Sequence, residues 1–284
     1  MLTGSKAPIQ PFNSGKRRGR PNKTGGTPRR KGRLILTIVL VVVLALIAAA
    51  VVYVSTPYKP SEEALAALKS DDAVAVSQTD DWIEFEPAIG SDSTAAVKQP
   101  GVIFYPGGRV KPEVYAPFAR DLAATGRHVV VVKMPFNFAF LGQNEAEKVQ
   151  DKYPDETFVL GGHSLGGPFA ARYAAEHTDR IAGIFFLASY AEGKGDLSKT
   201  QLPALSITAS EDQVLKQESY EEGRSYLPEN TQYEVIEGGN HGHFGSYGEQ
   251  GGDGKASIPE AEQREQTVSL IATWLDAIPA EAGQ

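Results

Sequence analysis

A three-layer α/β domain with a mainly parallel sheet is what this sequence predicts, and three observations predict it. Short apolar runs recur at regular intervals between Val102 and Ile236, stretches with helical periodicity separate several of them, and a glycine-flanked serine sits where one run passes into a helix. One hydrophobic stretch near the N-terminus stands apart from this pattern.

The chain opens on a basic arm. Residues 1–33 hold 10 of the 28 Lys and Arg and no Asp or Glu, so the remainder carries 18 basic against 35 acidic residues, a +10 arm on a −17 body. Its Gly, Pro and Lys content without apolar periodicity predicts disorder. Residues 34–54 follow, 21 in a row without charge, Gly or Pro, long enough at 1.5 Å per residue to cross a hydrocarbon core of about 30 Å. A buried core helix would show a polar face, whereas only Thr37 and Tyr53 interrupt this one. A cleaved signal peptide is the rival, since Ala48-Ala49-Ala50 offers small residues, but its apolar region runs about 7–15 residues behind a short basic segment. An uncleaved transmembrane anchor is therefore expected, with the basic arm in the cytoplasm and the following domain outside. Beside a span, the arm's charge is accounted for by topology and anionic headgroups. Membrane lipid is an expected partner and nucleic acid is not. With no cysteine in the chain, disulfides and thiol catalysis are excluded.

Residues 55–71, with the polar opening Ser61-Glu62-Glu63, read as a stalk, residues 72–279 as the body and 280–284 as a tail. Ala73–Val76 and Trp82–Phe85 alternate and predict a hairpin joined through Gln78-Thr79-Asp80-Asp81. The runs Val102–Tyr105, Val129–Val132, Thr157–Leu160, Ile184–Leu187, Ala204–Ile207 and Tyr233–Ile236 have the length and apolar continuity of parallel strands covered on both faces. Tyr115, Phe118, Ala119, Leu122 and Ala123 repeat at helical spacing ahead of the stop at Gly126. Val268, Ile271, Leu275 and Ile278 make one helical face at the C-terminus.

The chemistry starts at Gly161-Gly162-His163-Ser164-Leu165-Gly166-Gly167, between a β-prone run and the alanine-rich helical stretch Pro168–Glu176. A Gly-x-Ser-x-Gly in that context presents its serine on a strained turn, and Gly162 and Gly166 leave room for strand and helix to pack. A serine hydroxyl needs a neighbouring base, and the base needs a third group to fix its tautomer. Of five histidines, His163 lies inside the turn, His128 opens a strand and His177 ends a helix, which are structural positions. His241 and His243 remain, in the loop Gly238–Gly245 after the last strand. The acid is expected in Glu211-Asp212, at the carboxyl end of the preceding strand, with Asp212 ahead of Glu211. The backbone amide of Leu165 is one expected oxyanion donor, and Gly108, with Arg109 next, the second. His241 and His243 at i, i+2 could begin a zinc site, but too few further ligands stand nearby, so neither metal nor cofactor is expected. Gly251-Gly252-Asp253-Gly254 reads as turn chemistry.

Tyr105-Pro106-Gly107-Gly108, the serine turn and the segment Glu237–Tyr247 together resemble the α/β-hydrolase superfamily, in particular its small lidless bacterial members that join a membrane anchor to a hydrolase domain. The resemblance covers about Asp72 to Ile278 and implies the three-layer α/β-hydrolase fold with one added transmembrane helix. It further implies Ser164 as nucleophile, Asp212 as acid and His241 as base, in the chain order of that superfamily. Pro106 departs from it, standing where many members have histidine. Only Tyr190–Gln201 occupies the place where many relatives insert a cap, so an open site is expected. Phe136, Phe138 and Phe140 are expected either to wall that site or to plug the core beneath the sheet. The activity implied is hydrolysis of a small ester or related acyl substrate, and the alternative is a catalytically silent hydrolase fold serving as an envelope scaffold.

Overall fold

The computed structural model describes residues 28–88 and 98–279, so the first 27 residues of the arm and the tail 280–284 fall outside it. The chain divides into two units after Val51. The first is built on helix α1 (Pro28–Ser55), which begins inside the basic arm. Its stretch Gly32–Ser55 is the one helix among the described residues long and apolar enough to cross a membrane. Its apolar side chains are exposed, as an all-round hydrophobic helix without a protein partner must leave them.

In the second unit, α2 (Glu62–Ala66) is followed by β1 (Val74–Gln78), β2 (Trp82–Pro87) and β3 (Lys98–Tyr105), then α3 (Ala116–Ala123) and β4 (Arg127–Val132). The chain continues through α4 (Glu145–Lys152), β5 (Phe158–His163), α5 (Gly166–Glu176), β6 (Gly183–Leu187) and β7 (Ala204–Ala209). It ends with α6 (Gln217–Arg224), β8 (Gln232–Ile236) and α7 (Glu260–Asp276). All eight expected strands are present and form one sheet in the order β1-β2-β4-β3-β5-β6-β7-β8. The hairpin β1-β2 joins β4 antiparallel, and every pairing from β4 to β8 is parallel.

Alternation along the strands splits the core into two layers. Val102 and Phe104 of β3 face a cluster closed by Phe118 and Leu122 of α3 and by Ile271, Trp274 and Leu275 of α7. Ile103 and Tyr105 face the opposite cluster, with Val149 of α4 and Phe169, Ala170 and Tyr173 of α5. Helices thus cover both faces of the sheet, and every residue of β4, β5 and β6 is buried.

The segment 55–71 is not a free stalk. The Tyr58 amide donates to Arg109 O at 2.7 Å, and Lys111 N donates back to Tyr58 O at 3.2 Å. Ser61 N donates to Ser246 O at 2.9 Å, and Ser61 Oγ caps α2 by accepting from Ala64 N at 3.1 Å. Ala64 is buried, and Tyr58, Ala67 and Leu68 pack on the α3–α7 side of the core. Polar composition suggested exposure, but a few apolar side chains and backbone pairings hold the segment down.

Candidate active site

Ser164 sits between β5 and α5 with φ of 49°, in the left-handed region that non-glycine residues avoid. The strain is over-determined by packing. A Cβ at Gly166 would stand 2.1 Å from Tyr105 O, and one at Gly162 would stand 2.6 Å from Gly167 N. Ser164 N donates to Leu187 O at 3.0 Å, and Ser189 Oγ donates to Ser164 O at 2.5 Å, which fixes the turn against the end of β6.

Asp212 follows β7 and His241 follows β8, and the fold brings the two together: Nδ1 of His241 lies 2.9 Å from Asp212 Oδ2. The side chains are 2% and 3% exposed, so the pair is shielded from water. The second Asp212 oxygen accepts from Val214 N and Leu215 N, both at 2.8 Å, which orients the carboxylate. Glu211, the alternative acid, is exposed, and its nearest side-chain partner is Ser210. Ser164 and His241 line one cleft of about 180 Å³ with Leu165, Pro168, Tyr190 and Leu215. No hydrogen bond between Ser164 Oγ and His241 closes among the described residues. In substrate-free sites such bonds are commonly long and tighten on binding.

The turn after β3 reaches the same place. A Cβ on Gly108 would lie 2.8 Å from Leu165 Cδ2 and 3.3 Å from its Cβ, so the two loops meet in close contact here and a side chain at 108 would displace that of Leu165. Gly107 N donates to Tyr115 Oη at 2.9 Å and Arg109 N to Asn137 O at 2.7 Å. The amides of Gly108 and Leu165 have no partner among the described residues. Arg109 is thereby removed as an oxyanion donor. Its guanidinium is occupied as well, donating to Tyr53 O at 3.0 Å and Thr56 O at 2.6 Å.

A layer of groups beneath the loops was not legible as functional. His163 is fully buried, its Nδ1 2.8 Å from Tyr115 Oη and its ring centroid 4.7 Å from that of His241. Burial, reinforced by the neighbouring His241, pushes its pKa well below the usual histidine range, so it is neutral. Asp253, read as a turn residue, collects backbone amides: Gly242 N and Gly254 N at 2.8 Å, Gln213 N at 3.3 Å and His241 N at 3.4 Å. Buried Gln263 of α7 accepts from Asn240 N at 2.9 Å and donates to Asn240 O at 2.8 Å. The histidine loop is therefore held on two sides by side chains distant in sequence.

One expectation changes. Phe136, Phe138 and Phe140 neither wall the cleft nor plug the core. Left-handed backbone at Phe136 and Asn137 (φ 52° and 60°) turns the loop outward, leaving Phe136 68% and Phe140 52% exposed. The cleft wall comes instead from Pro168, Ala188, Tyr190 and Val214–Lys216, which follow β5, β6 and β7 at their carboxyl ends. His128 is structural as expected, bonded through Nδ1 to Glu156 at 2.8 Å and through Nε2 to Glu84 at 2.9 Å. His177 pairs with Tyr173 O at 3.0 Å, and His243 N is tied to Asn240 Oδ1 at 3.0 Å.

A sequence model described as the alpha/beta hydrolase family matches residues 101–265, more than half of the chain. A search of curated proteins finds no match. Among solved structures, the chain is similar to a predicted CIB-like hydrolase from Thermoplasma acidophilum (15% identity, TM-score 0.52, covering 70% of this chain and 99% of that one). It is also similar to an esterase from Mycobacterium tuberculosis (13% identity, TM-score 0.52, covering 76% and 96%). A bacterial membrane phospholipase A aligns at 17% identity and TM-score 0.52 over 86% of this chain and 98% of that one. At such identities these likenesses speak to fold. With the matched segment running from the start of the parallel sheet into α7, the chain belongs to the α/β-hydrolase family.

Proposed function

We propose that the protein is a serine hydrolase that cleaves acyl esters through an acyl-enzyme and is held at a membrane by α1. The observation that carries this reading is the buried Asp212–His241 pair opening on the same cleft as the strained Ser164.

With Nδ1–H of His241 donated to Asp212, Nε2 is left as the base. As Ser164 Oγ bonds to the ester carbonyl carbon, its proton passes to Nε2, and the carbonyl oxygen takes the negative charge. The free amides of Leu165 and Gly108 suit that oxyanion, and each such donor contributes about 2.7–4 kcal/mol to the transition state. Collapse breaks the ester C–O bond, and the departing alkoxide takes the proton from His241. Water then repeats the sequence on the acyl-enzyme, His241 accepting its proton and returning it to Ser164, and the carboxylic acid is released.

The membrane reading rests on the length and apolarity of Gly32–Ser55 and on the basic residues before it, which favour a cytoplasmic N-terminus and an outward domain. The similarity to esterases and to a membrane phospholipase A agrees with ester chemistry.

A fluorophosphonate probe and a soluble acetate ester test the activity. The wild type is expected to be labelled at Ser164 and to turn the ester over, and Ser164→Ala to lose labelling and about 10⁴-fold or more in kcat. A folded wild-type protein that ignores the probe, or a variant as active as wild type, overturns the reading in favour of a silent scaffold.

A further inference from the structure

The loop after β4 carries a surface that the proposed hydrolysis leaves unexplained. Apart from α1, the exposed large apolar side chains among the described residues are Leu65, Phe136, Phe140, Leu141 and Val235, so three of the five fall within six consecutive residues. The loop is built, not loose: Asn137 N, Phe138 N and Leu141 N each close a hydrogen bond within it or to Met134, and Phe138 packs on Phe140 with centroids 5.1 Å apart. Backbone strain at Phe136 and Asn137 is spent on turning apolar rings toward solvent.

Arg109 ties this loop to the end of the apolar run. Its amide donates to Asn137 O at 2.7 Å, while its guanidinium donates to Tyr53 O and Thr56 O and lies 3.8 Å from the Tyr53 ring centroid. Tyr53 is the penultimate residue of the uncharged run 34–54, so Arg109 links the aromatic loop, through its backbone amide, to the end of that run, through its guanidinium. On its other flank the loop leads to the cleft: Phe140 lies 6.3 Å from Phe169 of α5, and Pro168 beside it lines the cleft with Ser164. Phenylalanine and leucine exposed next to a membrane-spanning segment have their lowest free energy in the headgroup and acyl boundary.

We propose that Phe136–Leu141 is a lipid-docking surface, seated in the interface of the bilayer that α1 enters, and that the cleft takes its substrate, an acyl ester of a membrane lipid, from that interface. The inference rests on the esterase reading above. It adds the source of the substrate and the residues that meet it. The bond broken is the lipid's acyl C–O bond, with water supplying the hydroxyl to the released fatty acid and the proton to the alcohol product.

The test uses the full chain in vesicles of phosphatidylcholine and phosphatidylglycerol. Phe136→Trp is expected to give a blue-shifted emission that brominated phosphatidylcholine quenches beyond wild type, whose Trp82 and Trp274 are buried. Emission and quenching unchanged from wild type overturn the docking, and point to another occupant such as a protein. The combined variant Phe136→Ser, Phe140→Ser and Leu141→Ser, all at exposed positions, is then compared on two esters of 4-methylumbelliferone. Turnover of the vesicle-embedded oleate is expected to fall on the order of tenfold, and that of the soluble acetate to stay within about twofold. An unchanged oleate rate, or an equal fall on both esters, overturns the proposal. If the wild type cleaves neither ester, the hydrolase reading itself fails and the substrate claim with it, while the fluorescence still decides docking.

Discussion

Tyr115 Oη stands 2.8 Å from His163 Nδ1 and accepts the Gly107 amide at 2.9 Å, so one buried hydroxyl joins the turn after β3 to the serine elbow. Besides accepting from Gly107 it pairs with His163 Nδ1, while His163 Nε2 is buried without a hydrogen-bond partner among the described residues. The chain of contacts ends at the His241 ring, 4.7 Å away. In the proposed reaction a neutral His163 matters there, because a second imidazolium would oppose the charge that His241 takes up in each half.

Tyr115→Phe is expected to cost about 1–3 kcal/mol of stability, since it leaves a buried amide and a buried ring nitrogen unpaired. With Gly107 released, the adjacent Gly108 amide loses its aim. Ester kcat should fall on the order of tenfold with KM little changed, in line with a group that acts in the transition state. Urea unfolding and steady-state kinetics on one preparation check both.

Asp253→Ala removes the acceptor shared by the loops that carry Asp212 and His241. Stability should drop by about 1.5–3 kcal/mol, as for hydrogen bonds to a charged group, and kcat by about 10–100-fold as the histidine loses its position. Asp253→Asn keeps one oxygen for the amides and should fall between the two. A kcat equal to wild type in Asp253→Ala would contradict the positioning role.

Away from the cleft, the cluster of His128 with Glu84 and Glu156 makes stability depend on pH. Burial lowers the proton affinity of His128, but hydrogen bonds with Glu156 and Glu84 outweigh it and raise the pKa from 6.5 to about 9. Burial likewise acts to raise Glu84, and hydrogen bonds from His128, Tyr153 and Ser77 win, holding it at about 2. The folded state therefore binds the His128 proton more tightly than the unfolded state. Its contribution is complete below pH 6.5 and is lost as pH climbs through about 9. Glu84 works in the opposite sense, contributing above pH 4.5 and losing that contribution as pH falls toward 2. Melting temperatures of wild type and His128→Gln, measured from pH 5 to about 10, should differ most near pH 5–6 and converge at the alkaline end.

The strands were legible because parallel strands covered on both faces must be apolar throughout, as Val129–Val132 is. The grouping of Ser164, Asp212 and His241 was legible because each follows the carboxyl end of a strand, where topology alone brings distant loops together. Tyr115 was hidden, since a tyrosine opening an apolar helical face looks like any core residue. Asp253 was hidden for another reason: its partners are backbone amides, which carry no residue signature, some of them 11–40 residues away. The phenylalanine loop was misread because alternate spacing implies a buried face, whereas phenylalanine at φ 52° is a conformation that sequence gives little reason to expect.

A flexible linker of the length of residues 55–71 would let a tethered domain roam roughly 20–25 Å about its attachment point. The pairing of Tyr58 with Arg109 and Lys111 withdraws most of that freedom. Tyr58 lies four residues after Val54, a span of no more than about 14 Å when fully extended. Under the anchored reading proposed above, the domain is left with a short tether, so a substrate must come to it rather than be reached by it.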